Sequence, residues 1–132
     1  MTLKKVVHPK QLAKPSGVFS PAILVTQPGK LLFISGLTSR DESGKVIHQG
    51  DIRGQTRLIC ENLKATVEAA GGTLQDLVSV TVFVRDITQF DAIHEVRRQY
   101  FAAEPPASTM VQVSEFVHTD MLIEINAIAA LA

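Results

Sequence analysis

The chain has 132 residues, 45% of them apolar and 20% charged, with thirteen basic and thirteen acidic side chains that cancel. That length sustains one core and is short for two, and the neutral balance gives no field that would gather nucleic acid or an anionic membrane surface. No apolar run approaches the roughly 20 residues of a membrane span, and a lone cysteine, Cys60, excludes an internal disulfide.

A single cysteine fits a reducing compartment, and the start MTLKKVVHPKQL carries charge without an apolar signal core. The expected setting is the cytoplasm and the expected organisation one domain over residues 1–132. Residues 1–17, with Pro9 and Pro15, are expected to be irregular. Ala22–Thr26 and Leu31–Ser35 are short apolar runs separated by Gln27-Pro28-Gly29-Lys30, whose Pro-Gly centre is a type II turn signal, so they predict a β-hairpin. A polar loop, 41–44, and a brief strand at Lys45–His48 follow.

Asp51 is a good cap for a helix whose apolar stripe is Ile52, Ile59, Leu63, Val67 and Ala70, and Gly71-Gly72 stops it. Arg57–Glu61 and Lys64–Glu68 are spaced four apart, as on a solvated face. Cys60 lies beside the stripe and reads as a small core residue. Leu77–Arg85 is a strand with Val78, Val80, Val82 and Val84 on one side. A second helix is predicted over 88–102, with Ile93, Val96 and Tyr100 at helical spacing, and Glu104-Pro105-Pro106 breaks it. Arg53, Arg57, Arg97 and Arg98 fall on these helices among acids, so they make no stripe that could track phosphates.

Two strands close the chain. From Met121 onward one face is Met121, Ile123, Ile125, Ala127, Ala129 and Leu131, and the other places Glu124 and Asn126 between Leu122 and Ile128. A mid-strand carboxylate among aliphatics costs desolvation unless it is partnered. It either solvates an open sheet face or serves in a cleft as a general acid or base. Leu122 and Ile128 argue for a face covered by a second subunit. If the strand at 108–113 pairs antiparallel with the last, Ser108, Gln112, Glu124 and Asn126 share a face. His8, His48, His94 and His118 are too scattered for a metal site, and glycine-rich phosphate loops and hydrolase elbows are absent. The order β-β-(β)-α-β-α-β-β predicts an α+β fold with both helices on one face of a mixed sheet.

Ile34-Ser35-Gly36, the helix ending in Val67-Glu68-Ala69-Ala70-Gly71-Gly72, the strand from Val80 to Asp86, and the closing run from Leu122 to Ala129 resemble the Rid family (YjgF, also called endoribonuclease L-PSP). The resemblance covers about residues 18–131. It implies a chorismate-mutase-like fold, a homotrimer with three clefts between subunits, and, in the members that are enzymes, cofactor-free and metal-free hydrolysis of small enamines and imines or deamination of aminomuconate-type compounds. It places Glu124 on the attacking water, lines the cleft with backbone around Ser35 and Gly36 and on the strand of Met110, and puts His94 where relatives carry an asparagine. Two positions depart. Ser108 stands where the best-known members have an arginine that grips the substrate carboxylate, and Ala22 stands where they have a cleft tyrosine. The departure implies a cleft that handles 2-imino acids poorly, unless a cation such as Arg40 substitutes. Two readings follow: a small-molecule deaminase, and a non-catalytic ligand-binding or regulatory trimer. A ribonuclease is opposed by the neutral composition and the missing basic groove.

Overall fold

The computed structural model describes residues 3–132. The elements run β1 (Leu3–Val7), β2 (Ala22–Thr26), β3 (Lys30–Leu37), α1 (Ile52–Ala69), β4 (Leu77–Val84), α2 (Phe90–Arg97), β5 (Ala107–Gln112) and β6 (Ile123–Leu131). Four strands form one mixed sheet in the order β3-β6-β4-β5. β6 is antiparallel to both neighbours, and β5 is parallel to β4. A parallel pair needs a crossover connection, and α2 provides it. The fold is the expected chorismate-mutase-like α+β arrangement, with both helices on one face.

β6 is the central strand because one side of it is apolar from end to end. Ile123, Ile125, Ala127, Ala129 and Leu131 are buried, with Val80, Val82 and Val84 of β4 and Ile59, Leu63 and Val67 of α1 in the same core. α1 begins where the Asp51 carboxylate accepts the Gly54 amide at 2.9 Å. It ends in a Schellman arrangement: Gly71 N donates to Glu68 O, Gly72 N donates to Val67 O, and Gly71 takes a φ of +91°. Ala70 caps the end and is exposed, so the buried stripe stops at Val67. Cys60 is fully buried, as its place beside the stripe predicts.

Several local expectations differ. The β2–β3 hairpin is not formed. Gln27 adopts a φ of +54° and the Gly29 amide donates to Leu131 O, so the Pro28-Gly29 turn delivers β3 to β6, while β2 pairs antiparallel with β1. Residues expected to be irregular therefore include a strand, Leu3–Val7. Lys45–His48 contributes only a bridge between Arg40 and Val46. α2 is shorter than 88–102: after Arg97 the chain tightens, with Gln99 N donating to Val96 O and Tyr100 N to Arg97 O. β5 and β6 do not pair, because β4 lies between them.

One buried polar side chain fixes the approach to β6. Gln55 on α1 is fully buried; its Nε2 donates to His48 O (3.1 Å) and Asp120 O (2.8 Å), and its Oε1 accepts Leu122 N (2.9 Å). It thereby sets where the strand carrying Glu124 begins. Gln55→Leu would leave Asp120 O and Leu122 N without this partner, at about 1–3 kcal/mol for each buried group, while His48 O keeps the Asp51 amide. Chemical denaturation should show a loss of at least about 2 kcal/mol, beyond what an exposed glutamine contributes.

Candidate functional site

Residues paired across a sheet project to the same side. Ser108 and Met110 are paired with Val80 and Val82, whose side chains are buried under the helices. Glu124 is paired with Phe83, one step out of phase, and so projects to the opposite, helix-free side. The expectation that Ser108, Gln112, Glu124 and Asn126 share a face is therefore corrected. Ser108 and Gln112 point toward the helix layer, while Glu124 and Asn126 point away from it.

Glu124 is half-buried in a cavity of about 400 Å³ that it shares with Gly36, Thr38, Arg40 and Met121 and, from α1, with Asn62. β3 breaks register between Ile34 and Leu37, and this irregularity brings the Gly36 backbone against the glutamate. A Cβ at Gly36 would overlap the Glu124 carboxylate, so glycine is what lets the acid lie flat over the strand. Arg40 is exposed and its Nε donates to Thr38 Oγ1 at 3.3 Å. Asp41 beside it accepts from Ser43 Oγ, Ser43 N and Lys45 N, and these bonds, the Ser43 hydroxyl first, hold its carboxyl below the usual aspartate value. Ser35 is exposed and lines neither this cavity nor the next.

On the helix side, a cavity of about 520 Å³ opens between α2, β5 and the segment 16–19, lined by Val18, Phe19, Phe90, His94, Ser108 and Met110 with Arg97 at its base. The segment is held to the edge of β5, with Ser20 N donating to Pro106 O and Ser20 Oγ to Pro105 O. Arg97 is 1% exposed. Its Nη2 donates to Ser108 Oγ (3.0 Å) and Val18 O (3.3 Å), and its Nε is buried with no partner. Burial pushes its pKa down to about 10, which leaves it protonated at neutral pH. The His94 Nδ1 donates to Phe90 O at 3.1 Å, its ring stands edge-on to Phe90, and Nε2 faces Gly17.

The site residues expected from sequence thus fall into two groups. Gly36, Arg40 and Glu124 share one cavity, and His94, Ser108 and Met110 share the other. Ala22 lies on exposed β2 and lines neither; the aromatic residue that the N-terminal segment contributes is Phe19. Arg97 is the residue that the sequence reading passed over as one helix charge among several. Its position is nevertheless legible, since Ile93, Val96, Arg97 and Tyr100 fall at i, i+3, i+4 and i+7, on the buried stripe. Cys60 carries no chemistry here, because burial pushes its thiol up to about 12. Among the described residues, no group of three or more His, Cys, Asp or Glu side chains is placed to hold a metal, and no helix is long and apolar enough to cross a membrane.

Burial, and behind it the Arg97 guanidinium, holds the His94 imidazole below the ordinary histidine value of 6.5, so it is neutral at pH 7. The unfolded chain binds that proton more readily, so this group takes away stability as pH falls below the ordinary value, and none above it. An NMR titration should place the His94 midpoint below 6.5 and move it upward in Arg97→Met. A midpoint at or above 6.5 in the wild type contradicts this electrostatic picture.

Comparisons with known proteins agree with this fold. The family described as Endoribonuclease L-PSP matches residues 10–131. The chain is 42% identical over 127 residues to a RutC family protein of Pyrococcus horikoshii, covering 96% of this chain and 98% of the relative. It is 36% identical over 124 residues to the 3-aminoacrylate deaminase RutC of Acinetobacter baylyi, covering 92% and 98%. A solved Rid family structure from Yersinia pestis, 28% identical, superposes with a TM-score of 0.86 over 97% of this chain and 98% of the other. The chain belongs to the Rid (YjgF, endoribonuclease L-PSP) family.

Proposed function

We propose that this protein is a hydrolytic deaminase for a small enamine, imine or aminomuconate-type metabolite, and that it works at clefts between the subunits of a homotrimer. The observation that carries the reading is the sidedness of the site. Glu124 projects from one side of the sheet and Ser108 and Met110 from the other, and Glu124 and the His94–Ser108–Met110 group line separate open cavities, so a single chain cannot bring them to one ligand. A second copy can. The helix-free face is also apolar where no helix covers it: Phe33 is 70% exposed, and Leu31 and Val111 are exposed with it, as is Val117 in the loop before β6. Such a patch is the usual mark of an interface.

The chemistry then follows from the groups available. An enamine protonated on carbon becomes an iminium ion. Glu124 holds a water, takes one proton as the oxygen adds to the C=N carbon and passes it to the nitrogen; as the C–N bond breaks the new hydroxyl gives up its own proton, which balances the one taken up on carbon, leaving a carbonyl compound and ammonia. Backbone amides along β5 and around Gly36 are suited to holding the charge that develops. The relative described as a 3-aminoacrylate deaminase supports a substrate of this class.

Light scattering should give about three times the chain mass of 14.3 kDa; a monomer would remove the shared cleft. Ammonia release from 3-aminoacrylate and 2-aminoacrylate generated in situ tests the chemistry. Glu124→Gln should keep the assembly and lower the rate by at least about 10²-fold, the usual scale for a lost general acid–base group. Gly36→Ala, which displaces the carboxylate without removing it, should fall in between. A rate unchanged by Glu124→Gln retires the catalytic role of that residue.

A further inference from the structure

The helix-side cavity contains a charge with no ion-pair partner among the described residues. Arg97 has five N–H hydrogens, and the hydrogen bonds found for it among the described residues both leave Nη2, for a hydroxyl and a carbonyl, neither of them charged. Its Nε is buried and bare. The ion pairs among the described residues join Arg53 to Glu95 and His118 to Asp120; none involves Arg97. Cys60, which interacts with it electrostatically in the core, is a neutral thiol. The Phe101 ring lies 5.9 Å from the guanidinium carbon, at the outer limit of a cation–π contact. A buried cation without a counter-charge is costly, and native structures rarely keep one unless something pairs with it.

We propose that Arg97, with Ser108, makes this cavity the receptor for an organic carboxylate that carries an apolar body. Guanidinium is suited to that partner because its planar fork matches two carboxylate oxygens. The Ser108 hydroxyl accepts from Arg97 and so keeps its own hydrogen to donate to the same anion. Val18, Phe19, Ile87, Phe90 and Met110 give the rest of the wall an apolar character, and about 520 Å³ lies in the range of small-molecule sites. The cation missing from position 108 of β5 is thus supplied from α2, eleven residues earlier in the chain and in hydrogen-bonding contact with that position. Arg40, which lines the other cavity, is not needed for it. The inference rests on the preceding reading for the role of this cavity as one half of the ligand cleft, and its test does not require turnover.

Isobutyrate and isobutyramide have the same shape and differ in charge. Titrated into the full-length protein and followed by NMR and thermal melting, isobutyrate should bind saturably and raise Tm, and isobutyramide should bind about 10–100-fold more weakly, the scale of a lost charged hydrogen bond. Arg97→Met should abolish the difference between the two probes. Ser108→Asp provides a second arm that does not remove the arginine: it places a carboxylate against the guanidinium, and should raise Tm while eliminating isobutyrate binding. Equal binding of both probes, no binding of either by the wild type, or isobutyrate binding that survives Arg97→Met or Ser108→Asp overturns the proposal. Loss of the Glu124 reading would appear in the ammonia assay and leave these binding results as they are.

Discussion

The register of β6 between β3 and β4 is the constraint on which the candidate site depends. It buries Ile123, Ile125 and Ala127 against the helices, and in doing so it obliges Glu124 and Asn126 to face the other way. A shift by one residue would move the whole apolar set into solvent, so the core itself fixes the direction of the acid. Gln55 holds the entry of the strand, and the irregularity in β3 brings the Gly36 backbone close enough to serve as a floor. Stability and site geometry therefore have a common source, and the catalytic hypothesis for Glu124 follows from packing rather than from the acid alone.

The other half of the site is governed by a different constraint. β5 lies at the sheet edge, where its inward side chains meet α2 and the segment that crosses from Ser16 to Ser20 instead of a full helix layer. That incomplete cover leaves room for a ligand, and it also places a guanidinium in a nearly dry setting. A neutral residue of similar volume at position 97 would pack more cheaply. In the reading proposed above, the retained charge serves a ligand that enters the cavity, with recognition assigned to Arg97 and hydrolysis to Glu124.

Much of this was legible in the residues. The alternation in β6, the α1 stripe with its Asp51 cap and Gly71-Gly72 stop, and the placement of Glu124 among aliphatics all depend on local periodicity, which a sequence displays directly. Strand partners were not legible. The Pro28-Gly29 signal describes a turn but not which strand accepts the one that follows, and here β3 goes to β6 across almost a hundred residues. The same gap misplaced Ser108 beside Glu124, since the side of a strand that faces the helices is set by its neighbour's register. Arg97 is harder to read because its charge suggests solvent, although its spacing from Ile93 and Val96 puts it on the buried side.

The most direct test of the account is a crystal structure of the assembled protein, because the central claim is that two half-sites on opposite sides of one sheet become a single cleft between subunits. The account predicts that the Glu124 carboxylate of one subunit and the Arg97–Ser108 pair of its neighbour line the same cavity, with the exposed Phe33 face buried between them. An assembly in which the Glu124 cavity and the Arg97 cavity open onto separate solvent-facing surfaces would contradict it.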